Sequence, residues 1–489
     1  MINCISILAL CSIGILASSV EAQTIRPSHA SMPGNPISLS SEVVDLTLSD
    51  AVFLGLRSNR AIHSAYLTRI SQKFDLQVEE DRFTPKLVVS GRHLANRNRG
   101  DSYRQSEIIP QTTALTQFGT QLSLSWSNQL TQANRAGRAR SDGATLTVIQ
   151  PLLRGAGRDV ATAPIRLARL AEHANRLALK STVADTITQI ITGYRELLRA
   201  QEQLQISRDA LERSRQLIFA NREMILAGRM AEFEIVQTEA DEATQELGVE
   251  EAINQLDSAR LQLLKLLALD LKTRIRAEEN LSASQIQLGL TQALSLAQEN
   301  QPAYLTQLIT VEQAAINYTV ARNSTLWDVS LIGGATQVRD RFGTETNSTS
   351  RTWEGYAGIQ VDIPIGDIST RQAEVRARVE IENQEVRLAE IKQSLERDVG
   401  EAVRDLGTRW RQYEIAQRAR DLSRRKLDIE REKLQAGRSS NFQVLSFEAD
   451  LRSAESARLN ALIAHLNAQA ELDQVLGTTL SSWQIELND

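Results

Sequence analysis

The sequence predicts an α+β chain in which one unit, long helical hairpins joined to a stretch of antiparallel strands, occurs twice. Three observations predict it. Residues 227–241 (AGRMAEFEIVQTEAD) and 436–450 (AGRSSNFQVLSFEAD) share A-G-R-x3-F-x5-E-A-D, and an internal repeat is a primary fold signal. Leu197, Leu204, Leu211, Ile218 and Ile225 fall seven apart, with Ala200, Ser207, Ser214 and Asn221 three later, a narrow seam of large and small residues. At Pro85 the hydrophobic period changes from helical to two.

The formal charge of −5 offers no basic face for nucleic acid. Nine prolines and 4% aromatics point to long helices. Residues 1–22 read as a secretory signal peptide, apolar from Ile5 to Val20, with Val20-Glu21-Ala22 as a cleavage site. Met1-Ile2-Asn3 lacks the usual basic residue, but the apolar run is short for a membrane anchor. Cys4 and Cys11, the only cysteines, lie inside it. Leu10 is bulky where a lipoprotein box needs a small residue, and the processed chain would hold no thiolate metal site. No later stretch is apolar for the roughly 18 residues of a membrane helix, so any membrane span must be a β-barrel.

Residues 23–45, with Pro27, Pro33 and Pro36, read as an extended leader. The first unit covers 46–280: helix over 46–83, strands over 85–152 and a helical hairpin over 158–270. Ser49 or Asp50 is the expected cap of a helix starting at Ala51. Leu48, Ala51, Leu54, Gly55 and Ala61 recur as Leu290, Ala293, Leu296, Ala297 and Ala303 at a constant offset of 242, which also carries Leu87, Val89 and Gly91 onto Val329, Leu331 and Gly333. The second unit covers 281–480: helix 288–324, strands 327–366 and hairpin 369–476, with a tail over 481–489.

Three strand candidates stand in the first unit, at Leu87–Val89, 121–127 and 145–149, and two in the second, over 329–338 and 352–365. The Arg-, Asn- and Ser-rich stretches at about 95–115, 131–143 and 339–351 read as loops. A chain that leaves and re-enters one side of a membrane crosses it an even number of times, so one of the three would be a continuation or a non-spanning strand. The alternation suits a wall between lipid and a wet lumen, and equally an ordinary half-buried sheet. Each ascending helix, about 160–226 and 370–435, would reach on the order of 100 Å.

On Ala51-x2-Leu54-Gly55, its echo at Ala293, Gln150-Pro-Leu-Leu-Arg-Gly-Ala-Gly157, Ile363-Pro-Ile-Gly366, the two Ala-Gly-Arg tips and Leu476-Gly477, the chain resembles the TolC family of outer-membrane efflux proteins. The resemblance implies a homotrimer in the outer membrane, four strands per protomer forming one twelve-stranded barrel, continued by an α-helical coiled-coil tunnel through the periplasm. It implies a periplasmic adaptor docked at the tips, for which Gly228, Arg229, Gly437 and Arg438 are the candidates, and through the adaptor an inner-membrane pump or ABC transporter. The plainer account leaves the glycines to the turn and the arginines to the helix dipole. The family's acidic entrance positions, six and nine after the second tip glycine, are here Gln443 and Ser446, so that ring is missing. Glu234, with Glu232 nearby, is the candidate for a weaker ring, or a solvated helix charge.

No catalytic, cofactor or metal motif stands in the chain. The five histidines are scattered, and H-E-x-x-H, the phosphate-binding loop and G-x-S-x-G are missing. Expected is a passive export duct of a tripartite pump or type I secretion system, not an enzyme. The alternative is a non-conducting coiled-coil periplasmic adaptor or structural protein.

Overall fold

The computed structural model describes residues 43–97, 102–134, 137–279, 282–343, 348–366 and 368–487. The expected signal peptide and its cysteines, all but the last three residues of the leader, Asp367 and the two final residues of the tail lie outside them.

A short strand β1 (Val44–Leu46) precedes α1 (Leu48–Ser58). The helix starts one turn earlier than expected, because Thr47 forms a capping box with Asp50: each side chain bonds the other's backbone N–H. Asp50 thus serves as the third helical residue instead of the cap. Asn59 ends α1 and caps α2 (Arg60–Glu80), its Oδ1 accepting from the N–H groups of Ala61 and Ile62. A 3-10 turn leads into the sheet.

Four strands follow: β2 (Lys86–Arg97), β3 (Ser102–Leu115), β4 (Gln121–Ala133) and β5 (Gly137–Pro151). After α3 (Arg158–Ala161), α4 (Ala163–Leu226) runs 64 residues, about 100 Å, and α5 (Glu234–Leu266) returns. The chain then adds β6 (Ile275–Ala277), parallel to β1, and two further helices, α6 (Leu290–Asn300) and α7 (Pro302–Ser324). Strands β7 (Asp328–Gly343) and β8 (Ser348–Asp362) lead to α8 (Ser369–Gln435), α9 (Asn441–Leu476) and α10 (Thr479–Ser482). Among the described residues no helix is long and apolar enough to cross a membrane.

The sheet differs from expectation. Its order is β2-β3-β4-β5-β7-β8, every neighbouring pair antiparallel, so among the described residues the sheet holds six strands where four were expected. The described strands are even in number in each unit, four then two, because β3 joins the three candidates of the first. The stretches read as loops at 95–115, 131–143 and 339–351 are largely strand. Where they are described, most of their residues pair in the ladder, while their side chains carry Arg, Asn and Ser where Leu or Val would have marked the face. Hydrophobic period therefore reports only the part of each strand that has an apolar face.

The main core lies midway along the helices, where Tyr194, Ile187, Ile190 and Leu197 of α4 meet α1 and the end of α5. Gly55 lets α1 approach: a Cβ there would run into the Ile190 Cδ1. A second cluster joins Ala293 and Ala297 to Val399 and Leu472, and a third joins Leu217 to Leu427, Leu434 and Leu451 near the helical tips. Of the predicted seam, Leu197, Ala200, Leu204, Ser207, Ser214, Ile218 and Asn221 are buried, with Leu211 and Ile225 half-buried.

Candidate functional site: the helical tips and the sheet

The two tips have the same geometry. Gly228 and Gly437 take φ of +67° and +69°, and the N–H of each bonds a carbonyl three residues back, Ile225 and Leu434, at 2.9 Å. The next residues, Arg229 and Arg438, bond the carbonyls of Met224 and Lys433 at 2.9 and 2.8 Å. This is the Schellman closure, which satisfies carbonyls that a helix end leaves free. A Cβ on either glycine would meet nothing within 4 Å, so positive φ, not space, demands glycine.

The repeated glutamate braces each turn. Glu239 pairs with Arg222 at 3.4 Å, and Glu448 with Arg431 seventeen residues before it, at the matching positions. Glu448 also accepts from Arg213 at 3.0 Å, and the same arginine reaches Glu455 at 3.5 Å, which ties the first hairpin to the second. Between the hairpins the buried Asn221 Nδ2 donates to Asn441 Oδ1 at 3.0 Å, and Asn441 Nδ2 donates to the Glu234 carbonyl at 3.4 Å. Sequence reasoning missed this cross-hairpin set. Glu448 was visible as a repeated residue, but the partners Arg213 and Asn221 carried no signal beyond their place on the seam.

Of the predicted residues, Gly228, Arg229, Gly437 and Arg438 are exposed at the turns, and Glu232 is exposed beside them. Glu234 is half-buried in the first turn of α5, where an acid favours the helix dipole. Gln443 donates its backbone N–H to the Ser440 cap of α9 at 3.3 Å, and Ser446 lies half-buried one turn on. The repeated Phe233 and Phe442 are both exposed. Below the second tip, hydrogen bonds from Ser439 and Lys433 hold the Glu430 carboxyl under the usual carboxylate range.

At the other end, all six strands start or finish on the helical body at Lys86, Leu115, Gln121, Pro151, Asp328 and Asp362. Opposed residues in the ladder share a face, and successive ones alternate. One face carries Leu87, Leu124, Trp126, Leu146, Leu331 and Ile359 near the helical end, all exposed. The other carries Ser123, Ser125, Thr145, Thr147, Thr336 and Gly334 in the same rows. The outer edges of β2 and β8 have no partner among the described residues, and the two strands run in opposite directions.

Among the described residues no group of acids, histidines and cysteines is arranged to hold a metal. Tyr194 in the core donates to the Leu46 carbonyl at 2.9 Å, and burial pushes its hydroxyl up to about 12. Burial lowers the Arg195 guanidinium and raises the Glu279 carboxyl, each effect partly offset by their mutual attraction. These are the features of a packed core.

Residues 293–478 match the model of the outer membrane efflux protein family. No curated protein matches the sequence. Among solved structures, the CmeC outer membrane channel of Campylobacter jejuni is similar with a TM-score of 0.67 at 16% identity, over 88% of this chain and 86% of that one. The outer membrane protein VceC of Vibrio cholerae gives 0.65 at 14%, over 88% and 96%. The MtrE outer membrane channel of Neisseria gonorrhoeae, in its open state, gives 0.64 at 16%, over 91% and 95%. At these identities the structures speak for the fold. In sequence over its second half, and in fold over nearly its whole described length, this chain resembles the TolC family of outer membrane efflux proteins.

Proposed function

We propose that the chain is a passive exit duct in the outer membrane, its sheet in the bilayer and its helices in the periplasm. Three copies close the sheet edge to edge, β8 of one against β2 of the next, and join a periplasmic adaptor at the helical tips. An inner-membrane pump or ABC transporter supplies the energy, as in a tripartite efflux pump or a type I secretion system.

The observation that carries this reading is the two-faced sheet with two open edges. An apolar outer face opposed to a small polar face is what a wall between lipid and water requires. Long unpaired edges are a liability unless closed, and antiparallel edge strands let copies close on one another. With the six described strands from each copy, three copies would make eighteen strands where twelve were expected. A barrel's diameter grows with strand number, so this lumen is the wider.

Single-channel recording in planar bilayers tests it. Discrete conductance steps from the purified trimer support the duct, and a folded trimer that never inserts sinks it.

A further inference from the structure

The strands sort charge by face. Beyond the apolar band, the outward face carries Arg97 on β2, Arg104 on β3, and Arg138 and Arg140 on β5. On the same face stand Arg339 and Arg341 of β7 and Arg351 of β8. Asp142 is the one carboxylate among them in the described strands. The inward face of the same region is acidic instead, with Glu107, Asp340 and Glu354 against Arg92, which Glu107 already binds at 2.8 Å.

Arg140 lies directly opposite Arg341, and Arg339 directly opposite Arg351. Like charges so placed destabilise a sheet by themselves. Asp142 reaches Arg140 at 3.2 Å, and no other ion pair involves these seven arginines among the described residues. An anion from outside the chain would resolve the repulsion.

Every basic residue in this belt is arginine; the only lysine in the six strands is Lys86, at the helical end. The planar guanidinium grips phosphate with two parallel bonds where lysine offers a point charge. The belt spreads along strands instead of closing on a pocket, and it borders the apolar band on the same face. Trp353, 73% exposed, lies two residues below Arg351 on that face, a position suited to an interfacial aromatic. A ligand that follows this layout has acyl chains on Leu124 and Leu146 and phosphates at the arginines.

We propose that this arginine belt binds the phosphate groups of an anionic lipid in the outer leaflet, an inference that rests on the barrel reading above. The lipid's phosphates neutralise the opposed arginine pairs, so the barrel is completed by lipid.

The test uses the purified full chain in detergent, with bis-phosphorylated lipid A, its fully dephosphorylated form, or inorganic pyrophosphate added, and native mass spectrometry counting bound molecules. The double variants Arg140→Gln/Arg341→Gln and Arg339→Gln/Arg351→Gln should each bind the phosphorylated lipid about tenfold less tightly. Arg92→Gln, on the inward face, should bind as the parent does. The Arg339→Lys/Arg351→Lys variant, which keeps charge but loses the fork, should fall between, so a folding defect in the glutamine variants does not decide the matter. Unchanged affinity in all the belt variants, equal binding of the dephosphorylated lipid, or pyrophosphate binding as tightly as the lipid overturns the proposal. Bilayer recordings on the same samples separate the two readings. Parent protein that never inserts removes the duct, whereas insertion with indifferent lipid binding removes only the belt.

Discussion

The side chain of Asn59 donates to the Leu266 carbonyl at 2.8 Å, fastening the junction of α1 and α2 to the last turn of α5. Gln301, 242 residues later and likewise between two helices, donates to the Val475 carbonyl at 3.4 Å. Each amide both caps a helix start and satisfies a carbonyl near a helix end. Asn59→Ala is expected to cost about 2 kcal/mol, since it removes a cap and leaves a carbonyl unpaired. Gln301→Ala should cost less, because its second bond is long. Denaturant unfolding of the detergent-solubilised protein compares the two.

The tips predict a sharp difference between two substitutions. Gly228→Ala or Gly437→Ala should each destabilise the turn by roughly 1 kcal/mol, through positive φ alone. Gly437→Trp meets the same positive φ and should cost the turn about as much, but its ring has open space, so it should keep the folded oligomer yet lose adaptor capture. Thermal unfolding with adaptor cross-linking checks this, and capture by the tryptophan variant equal to the parent's would return the glycines to the turn alone.

How far the sequence could be read depended on what each segment buries. The tips were legible because positive φ needs glycine and the brace needs Glu239 and Glu448, so both copies keep the same letters. Arg138-Ala139-Arg140 and Arg339-Asp340-Arg341 looked like loops, since arginine fills one face and no large apolar residue marks the other. Only register shows that arginine points one way and alanine or aspartate the other. The capping box at Thr47 was missed by one turn because Ser49 and Asp50 are also good caps.

Glu234 carries two expectations. Glu234→Gln should lower cation selectivity in bilayer recordings if the three copies bring it into a ring. It should also cost about 0.5 kcal/mol, the usual worth of an acid at a helix N-terminus. A stability change without a change in selectivity assigns the residue to the helix dipole.

Burial raises the Asp473 carboxyl above its ordinary 3.8, against hydrogen bonds from Ser482 and Thr478 that lower it. A raised pKa means that the fold holds this proton more tightly than the unfolded chain does. Its contribution is fully present below the unfolded value and is lost as pH rises through the folded one. Asp473→Asn should therefore raise the melting temperature at pH 7, with the gain shrinking as pH falls toward 3.8. A gain independent of pH would refute that assignment.

In the proposed duct the outer edge of β8 meets β2 of the next copy, and a disulfide scan reads that closure. The only cysteines of the sequence, Cys4 and Cys11, precede the expected cleavage site, so introduced pairs report alone. Ser90→Cys on β2 would be combined in turn with Tyr356→Cys, Gly358→Cys and Gln360→Cys on β8, all on the inward face. At least one pair is expected to yield covalent dimers and trimers on oxidation, separated under denaturing conditions and lost on reduction. Cross-linking only within single chains, or none at any pair in a folded trimer, would contradict it.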